Sequence, residues 1–203
     1  MILSHTFEEY ARMVKSFHGN TAPGVMIGGS MVDLAYRCLP EGGLYDVICE
    51  TAKCLPDAVQ ILTPCSTGNQ WLRIIDTGRF ALAFYDKATG EGVRVFIDPQ
   101  KLETWPEIKG WLLKLRPKAE QNTELLMREI ERAGSDICSV EKIKVSLDLL
   151  KKKKGSIVLC PSCGEPYPSL RGAICPACKG GLLPYESGPR GGGGVTIRGC
   201  IGE

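Results

Sequence analysis

Apolar side chains recur every three to four residues over the first part of the chain, and this period predicts amphipathic helices. The pattern begins after the motif Thr6-Phe-Glu-Glu9, which forms a capping box, and it ends at His18-Gly19. A second helix is predicted over residues 25–39, where glycines among the large apolar residues let another backbone approach closely. Residues 56–62 predict a short helix with proline in its first turn.

Runs rich in β-branched and aromatic residues predict strands. They cover residues 44–49, 71–75, 79–85, 92–97 and, near the C-terminus, 156–159. Short turn sequences separate the three runs between residues 71 and 97, which favours an antiparallel meander. Helical periodicity returns over residues 105–115 and 118–133, with a break at Arg116-Pro117, and residues 140–150 form another amphipathic segment.

A change of composition near residue 150 predicts two domains. Four consecutive lysines and a glycine, residues 151–155, predict a linker between a core domain of residues 1–150 and a small module of residues 156–187. From residue 188 the sequence is rich in glycine, so we expect a flexible tail over residues 188–203.

Two cysteine pairs within the small module carry the clearest chemical signal of the chain. Cys160-Pro-Ser-Cys163 and Cys175-Pro-Ala-Cys178 are separated by eleven residues. Each C-x-x-C turn brings two sulfurs close enough to share one cation, so the two turns together predict a tetrahedral zinc site. Four thiolates leave no open coordination position, which makes this zinc structural. Two disulfides or unrelated thiols are the alternatives.

The composition guides the interpretation of the remaining cysteines. The 203 residues include ten cysteines, and 25 basic against 23 acidic residues give a formal charge of +2. No uncharged apolar run reaches the roughly eighteen residues of a membrane span, and the N-terminus resembles no secretory signal. We therefore expect a cytoplasmic protein without a membrane partner, in which metal or redox roles come before disulfides. The balanced charge gives no overall attraction to nucleic acid.

Two sequence motifs suggest a family. They are Phe17-His18-Gly19-Asn20-Thr21-Ala22-Pro23-Gly24 and Cys54-Leu-Pro-Asp57-Ala-Val-Gln60-Ile-Leu-Thr63-Pro-Cys65-Ser-Thr-Gly68. With Asp76-Thr-Gly-Arg-Phe80 and Gly92-Val-Arg-Val95, they resemble the FmdE family, which is associated with tungsten and molybdenum formylmethanofuran dehydrogenases. The resemblance covers about the first 100 residues, and some members carry a C-terminal four-cysteine finger.

The resemblance implies an α+β fold with a mixed, roughly five-stranded sheet and flanking helices. We expect a small, treble-clef-like zinc finger after this core. The resemblance also implies a metabolic setting, namely anaerobic one-carbon and redox metabolism, without implying that this chain catalyses the dehydrogenase reaction.

The same resemblance implies a site where the histidine-glycine motif meets the cysteine motifs. His18, Cys54 and Cys65 are its candidate metal ligands or catalytic groups, with Asp57 as a fourth. Many members of the family have a second histidine and a further cysteine where this chain has Asn20 and Ala22. Because two donors are replaced, we expect this pocket to hold metal weakly or not at all. A helix-end histidine, a helix-capping aspartate and buried inert thiols are the structural alternatives.

Three functions remain open from the sequence. The first is a zinc-binding accessory protein that docks to a protein partner or binds a small ligand. The second is a metal- or thiol-dependent enzyme that uses the pocket of His18, Cys54, Asp57 and Cys65. The third, which the sequence favours least, is nucleic-acid binding through the finger and the lysine run. Pairing into a homodimer through a sheet edge or a helix face stays open.

Overall fold

The computed structural model of the protein describes residues 1–150 and 155–180. The chain divides into two compact units after Leu150, and each is described by itself. The expected flexible tail over residues 188–203, residues 151–154 of the expected linker and the last seven residues of the expected small module lie outside the described residues.

A mixed sheet of five strands forms the framework of the first unit. Its strands are β1 Tyr45–Cys49, β2 Leu72–Ile74, β3 Ala81–Asp86, β4 Glu91–Ile97 and β5 Cys138–Lys144. They lie in the order β2-β1-β3-β4-β5; β1 and β2 are parallel, and the other neighbours are antiparallel. The α+β class and the mixed five-stranded sheet are thereby confirmed.

Helices flank this sheet. They are α1 Phe7–His18, α2 Pro23–Cys38, α3 Leu55–Leu62, α4 Pro106–Leu112, α5 Thr123–Ala133 and the short α6 Leu147–Leu150. Single turns of 3₁₀ helix occur at Pro99–Leu102, Lys118–Glu120 and Ser169–Arg171. Within residues 1–150 and 155–180, no helix has both the length and the apolar character that a membrane crossing requires.

The capping box that the sequence predicts at the start of α1 is present. The Glu9 amide donates to Oγ1 of Thr6 at 3.2 Å, and the Thr6 amide donates to Oε2 of Glu9 at 2.8 Å. Gly19 ends the helix with φ of +89°, a left-handed conformation that glycine adopts without steric cost. His18 is thereby fixed as the last residue of α1.

Helix α2 is the centre of the core, because ten of its sixteen residues are buried. It packs on the face of the sheet that carries Val47, Phe84 and Val95, all fully buried. A methyl group added to Gly28 would lie 2.6 Å from Cβ of Ala58 in α3. The small residues of α2 therefore allow α3 to pack at close range, as the sequence predicts.

The predicted meander over residues 71–97 is wrong in one respect. β3 and β4 form an antiparallel hairpin, but β2 does not pair with β3. Instead β1 lies between them, because residues 50–71 carry the chain through α3 and return it parallel to β1 at the sheet edge. This α3 crossover is a βαβ unit, and a predicted short helix between two strands is its sequence signature.

Two predictions for the second half of the core also need correction. The amphipathic segment predicted over residues 140–150 is largely the edge strand β5, in which charged residues such as Glu141 and Lys142 are exposed. Charged side chains are common on edge strands because they prevent pairing with other chains. The predicted helix of residues 118–133 begins only at Thr123, where the Asn122 side chain accepts a hydrogen bond from the Leu125 amide.

The second unit contains a two-stranded antiparallel ribbon. Its strands are β6 Ile157–Leu159, which confirms the predicted strand, and β7 Pro166–Pro168. Tyr167 is buried beside the cysteines of this unit, and its hydroxyl donates to the Gly172 carbonyl at 2.7 Å. With so small an apolar core, this unit depends on an additional cross-link for its stability.

Candidate metal centre and core pocket

The four cysteines of the second unit converge on one point. The sulfurs of Cys160, Cys163, Cys175 and Cys178 all lie within 4.8 Å of one another. Cys163 and Cys175 are 3.8 Å apart, which matches the edge of about 3.8 Å in a tetrahedron with Zn–S bonds of about 2.3 Å. Within the described residues, this is the one group of three or more cysteine, histidine or carboxylate ligands so close together.

Backbone geometry prepares these sulfurs for a cation. Gly164 has φ of +76°, and its amide donates to the Cys160 carbonyl at 2.7 Å, which closes the first turn. The Cys175 amide lies 3.5 Å from the Cys160 sulfur, and the Cys178 amide lies 3.5 Å from that of Cys175. The amide of Cys175 in particular lowers the pKa of Cys160 to about 6. Thiolates are the form that binds zinc, so the donor set fits this metal.

In the core, His18 and Asp57 form a hydrogen-bonded pair. Nδ1 of His18, at the end of α1, lies 2.5 Å from Oδ2 of Asp57 in the first turn of α3. The side chains are 25% and 30% exposed, so solvent and small molecules can reach them. A carboxylate oxygen accepts hydrogen bonds, so Nδ1 carries the proton and Nε2 is left to accept a proton or to bind a ligand.

Cys54 lies beside this pair on an unusual turn. It precedes α3 with φ of +59°, a rare value for a residue other than glycine. The Leu55 amide donates to the Lys53 carbonyl at 2.6 Å and thus closes a tight three-residue turn around Cys54. Burial, with a further contribution from the charge of Asp57, raises the pKa of the Cys54 thiol. The side chain is therefore a neutral thiol at neutral pH.

The wall of the pocket near Cys54 comes from two residues that sequence reasoning missed. A methyl group on Gly24 of α2 would lie 2.8 Å from the Cys54 sulfur and 3.4 Å from the indole ring of Trp111. Trp111, in α4, also packs edge-on against Phe80. Gly24 belongs to the first motif and offered a signal, but Trp111 is distant in sequence and offered none.

The structure places Cys65 among different neighbours. Its thiol is buried after the end of α3 and donates to the Tyr45 carbonyl at 3.3 Å. Burial raises the pKa of Cys65. Thus His18, Asp57 and Cys54 lie around the start of α3, whereas the hydrogen-bond partner of Cys65 is the first residue of β1.

The two positions at which the chain departs from the family motif lie between α1 and α2. Asn20 follows the left-handed Gly19, and Ala22 is the residue before α2 and makes no side-chain capping hydrogen bond. Neither residue belongs to a cluster of candidate metal ligands among the described residues.

Comparison with known protein families places both centres in one family. A family model described as FmdE, Molybdenum formylmethanofuran dehydrogenase operon, matches residues 17–145. The chain belongs to the FmdE family. A second model, the FmdE treble clef zinc finger, matches residues 151–186 and includes all four clustered cysteines. With the tetrahedral sulfur geometry, this match assigns a structural zinc ion to the finger and confirms that prediction.

Individual FmdE relatives agree with this assignment. The chain is similar to a crystal structure of an FmdE-like protein of tungsten formylmethanofuran dehydrogenase from Syntrophus aciditrophicus. The two are 53% identical with a TM-score of 0.83, over 92% of this chain and 98% of the other. A curated protein of Archaeoglobus fulgidus, called a probable S-adenosyl-L-methionine-binding protein, is 26% identical over 187 residues that cover 82% of this chain. The alignment covers 51% of that relative, so the chain spans about half of its length.

Proposed function

We propose that this FmdE-family chain is a cytoplasmic accessory protein of anaerobic one-carbon or redox metabolism. In this proposal the zinc finger docks onto a partner protein, and the core pocket binds a small ligand. The family description, which refers to a dehydrogenase operon, supports a role beside other proteins. The closed four-thiolate centre supports a structural role for the finger, since it leaves no position for a substrate.

The observation that carries the docking role is the apolar surface of the finger. The side chains of Ile157, Leu159 and Leu170 are 64%, 71% and 52% exposed. Apolar groups that a small module leaves in contact with water are typical of surfaces that bind another protein. The zinc then stabilises the module that presents this surface.

Docking can be tested by recovering partners from the native organism. A tagged chain, with its zinc, is expected to retain a partner whose identity mass spectrometry then gives. The Cys163→Ser variant, which lacks one zinc ligand, should lose that partner, whereas Cys38→Ser at an exposed thiol of the core should keep it. Equal recovery by both variants, or no partner at all, contradicts docking through the finger.

The small-ligand role is supported by the partly exposed His18–Asp57 pair beside Cys54 and Trp111. The name of the curated relative makes S-adenosyl-L-methionine the first compound to test. Isothermal titration of the full chain with this compound should give binding that His18→Ala weakens. His5→Ala, at a histidine that precedes α1, is the matched control. Binding that neither substitution changes would place the ligand elsewhere.

An enzyme is the second candidate, and the orientation of His18 favours it. Asp57 holds Nδ1, so Nε2 can act as a base or a metal ligand. Against a thiol nucleophile stands the raised pKa of Cys54. Metal analysis separates the two candidates: an accessory protein should hold one tightly bound zinc per full chain. A second stoichiometric zinc that His18→Ala removes would favour the enzyme.

A further inference from the structure

The two edges of the finger ribbon differ in their backbone hydrogen bonding. The Ser169 amide donates to the Ser156 carbonyl at 2.9 Å, and the Cys160 amide donates to the Glu165 carbonyl at 2.9 Å. Hydrogen-bonded pairs alternate along an antiparallel ribbon, so Val158 and Tyr167 form the pair between these two. The amide and carbonyl groups of Ile157 and Leu159 therefore point away from β7, toward an edge that no other described strand covers.

The opposite edge of the ribbon is closed by proline. Pro166 and Pro168 lie across from Leu159 and Ile157, so their backbone nitrogens point outward from β7. A proline nitrogen carries no hydrogen and cannot donate to an added strand. The sequence thus blocks strand addition at β7 while leaving donors and acceptors on β6.

Side chains on the β6 edge favour an apolar occupant. Ile157 and Leu159 share one face of the ribbon and are 64% and 71% exposed, and Val158 on the other face is 37% exposed. An edge strand whose three side chains are all apolar and exposed is suited to strand addition. Backbone groups at this edge would provide affinity, and alternate side chains would provide selectivity.

Charges at the ends of β6 give the occupant a direction. In the sequence, only Gly155 and Ser156 separate the four lysines of residues 151–154 from Ile157. Arg171, exposed, follows two residues after Ser169, which pairs with Ser156 at this same end of the ribbon. The other end of β6 has Glu165 across from Cys160. The start of β6 is therefore basic and its end is acidic, so a complementary strand carries acidic residues where it meets the start.

We propose that the β6 edge binds an extended segment of a partner protein by strand addition. The segment is apolar at alternate positions and acidic at the end that meets the start of β6. In the antiparallel orientation, this acidic end is the C-terminal end of the segment. The proposal rests on the docking role of the finger and names the surface and the class of peptide that it takes.

A synthetic peptide tests the edge directly. The probe is a fluorescein-labelled peptide of alternating valine and threonine that ends in several glutamates, and fluorescence anisotropy measures its binding to the full zinc-loaded chain. Methylating the peptide amides that face β6 should weaken binding by about tenfold, because it removes the interstrand donors. Methylating the intervening amides, which face away, should leave binding unchanged. Replacing the glutamates by lysines should also weaken binding.

Protein variants provide the matching comparison. Leu159→Glu should weaken peptide binding, whereas Ile174→Glu, at a residue 40% exposed and outside the ribbon, should not. Zinc content must stay at one per finger in both variants, which shows that the module is folded. The methylated peptides need no protein variant and decide the matter if Leu159→Glu loses zinc.

Other results would overturn the proposal. Equal binding of both methylated peptides excludes strand addition, and a dimer that Leu159→Glu dissociates in sedimentation experiments assigns the edge to a second copy. Binding of an oligonucleotide in preference to the acidic peptide assigns the lysines to nucleic acid. A partner that Leu159→Glu retains would leave docking intact but remove it from this edge, whereas wild type without any partner contradicts the docking role itself.

Discussion

Gly24 shows how one missing methyl group shapes the core pocket. Replacement by alanine would place Cβ 2.8 Å from the sulfur and 2.9 Å from Cβ of Cys54, closer than real contacts allow. We expect Gly24→Ala to destabilise the protein by about 1–3 kcal/mol because Cys54 is held by its turn and cannot move freely. Urea unfolding of the full chain measures this change.

Gly110 in α4 provides the control for that prediction. A methyl group there meets no atom within 4 Å, and the residue lies inside the helix. Gly110→Ala should therefore leave stability unchanged or raise it by up to about 1 kcal/mol. Similar destabilisation by both substitutions would show that the close packing of Gly24 on Cys54 is not the cause.

Glu50 links stability to pH. Its carboxylate accepts hydrogen bonds from Nε and Nη2 of Arg94 at 2.5 Å and 3.0 Å, and Nε of Arg79 lies 2.7 Å away. The hydrogen bonds from Arg94, followed by the charges of both arginines, lower the pKa of Glu50. Since its pKa is lower in the folded state, this group stabilises the protein above about pH 4.3, the unfolded value. That contribution is lost as the pH falls through the folded pKa.

The Glu50→Gln variant tests this link. We expect it to lose about 2–3 kcal/mol at pH 7, because Arg94 is left partly buried without its counter-charge. The free energy of unfolding should also fall less between pH 6 and pH 3 in the variant than in wild type. Identical pH profiles from denaturant titrations would contradict the assignment.

At the scale of residues, the sequence predicted the identity of the site better than its extent. His18 and Asp57 were recognisable because both lie in motifs at helix ends, and the structure brings them into contact. Cys54 and Cys65 were equally good candidates, because spacing along the chain does not state which end of α3 a thiol occupies. The positive φ of Cys54 and its contact with Gly24 arise only from the packing of α2 on α3.

At the scale of elements, the capping box sets the start of α1. Thr6→Ala removes the hydroxyl that accepts from the Glu9 amide and should cost about 1 kcal/mol. Thr6→Ser retains the hydroxyl and should cost much less. Thermal unfolding followed by circular dichroism measures both changes, and an equal loss in the two variants would mean that the threonine methyl group, rather than the cap, is responsible.

Local signals located most elements but not their neighbours. Caps and turns determine where α1, α3 and the β3–β4 hairpin begin and end, so the sequence predicted them closely. The parallel position of β2 depends on a crossover through α3, and β5 carries charged residues that resemble a solvated helix face. Both depend on contacts distant in sequence, which periodicity does not encode.

At the scale of the whole molecule, the finger and the core should unfold separately. Cys163→Ser removes one of four zinc ligands, and we expect the finger to unfold because structural zinc provides about 10–16 kcal/mol in comparable modules. The core has its own contiguous apolar cluster, so its cooperative transition should remain. Calorimetry combined with zinc analysis checks both statements, with Cys38→Ser as the control, and simultaneous loss of both transitions would contradict two independent units.

The prolines of β7 also limit how this molecule can assemble. A ribbon that accepts neighbours on both sides can grow into a fibre, since each added strand presents a fresh template. Here each finger has a single sticky side, so growth stops after one addition, whether the newcomer is a foreign peptide or another copy. The Pro166-Tyr-Pro168 sequence thus acts as a terminator that lets an adhesive strand exist without the hazard of polymerisation.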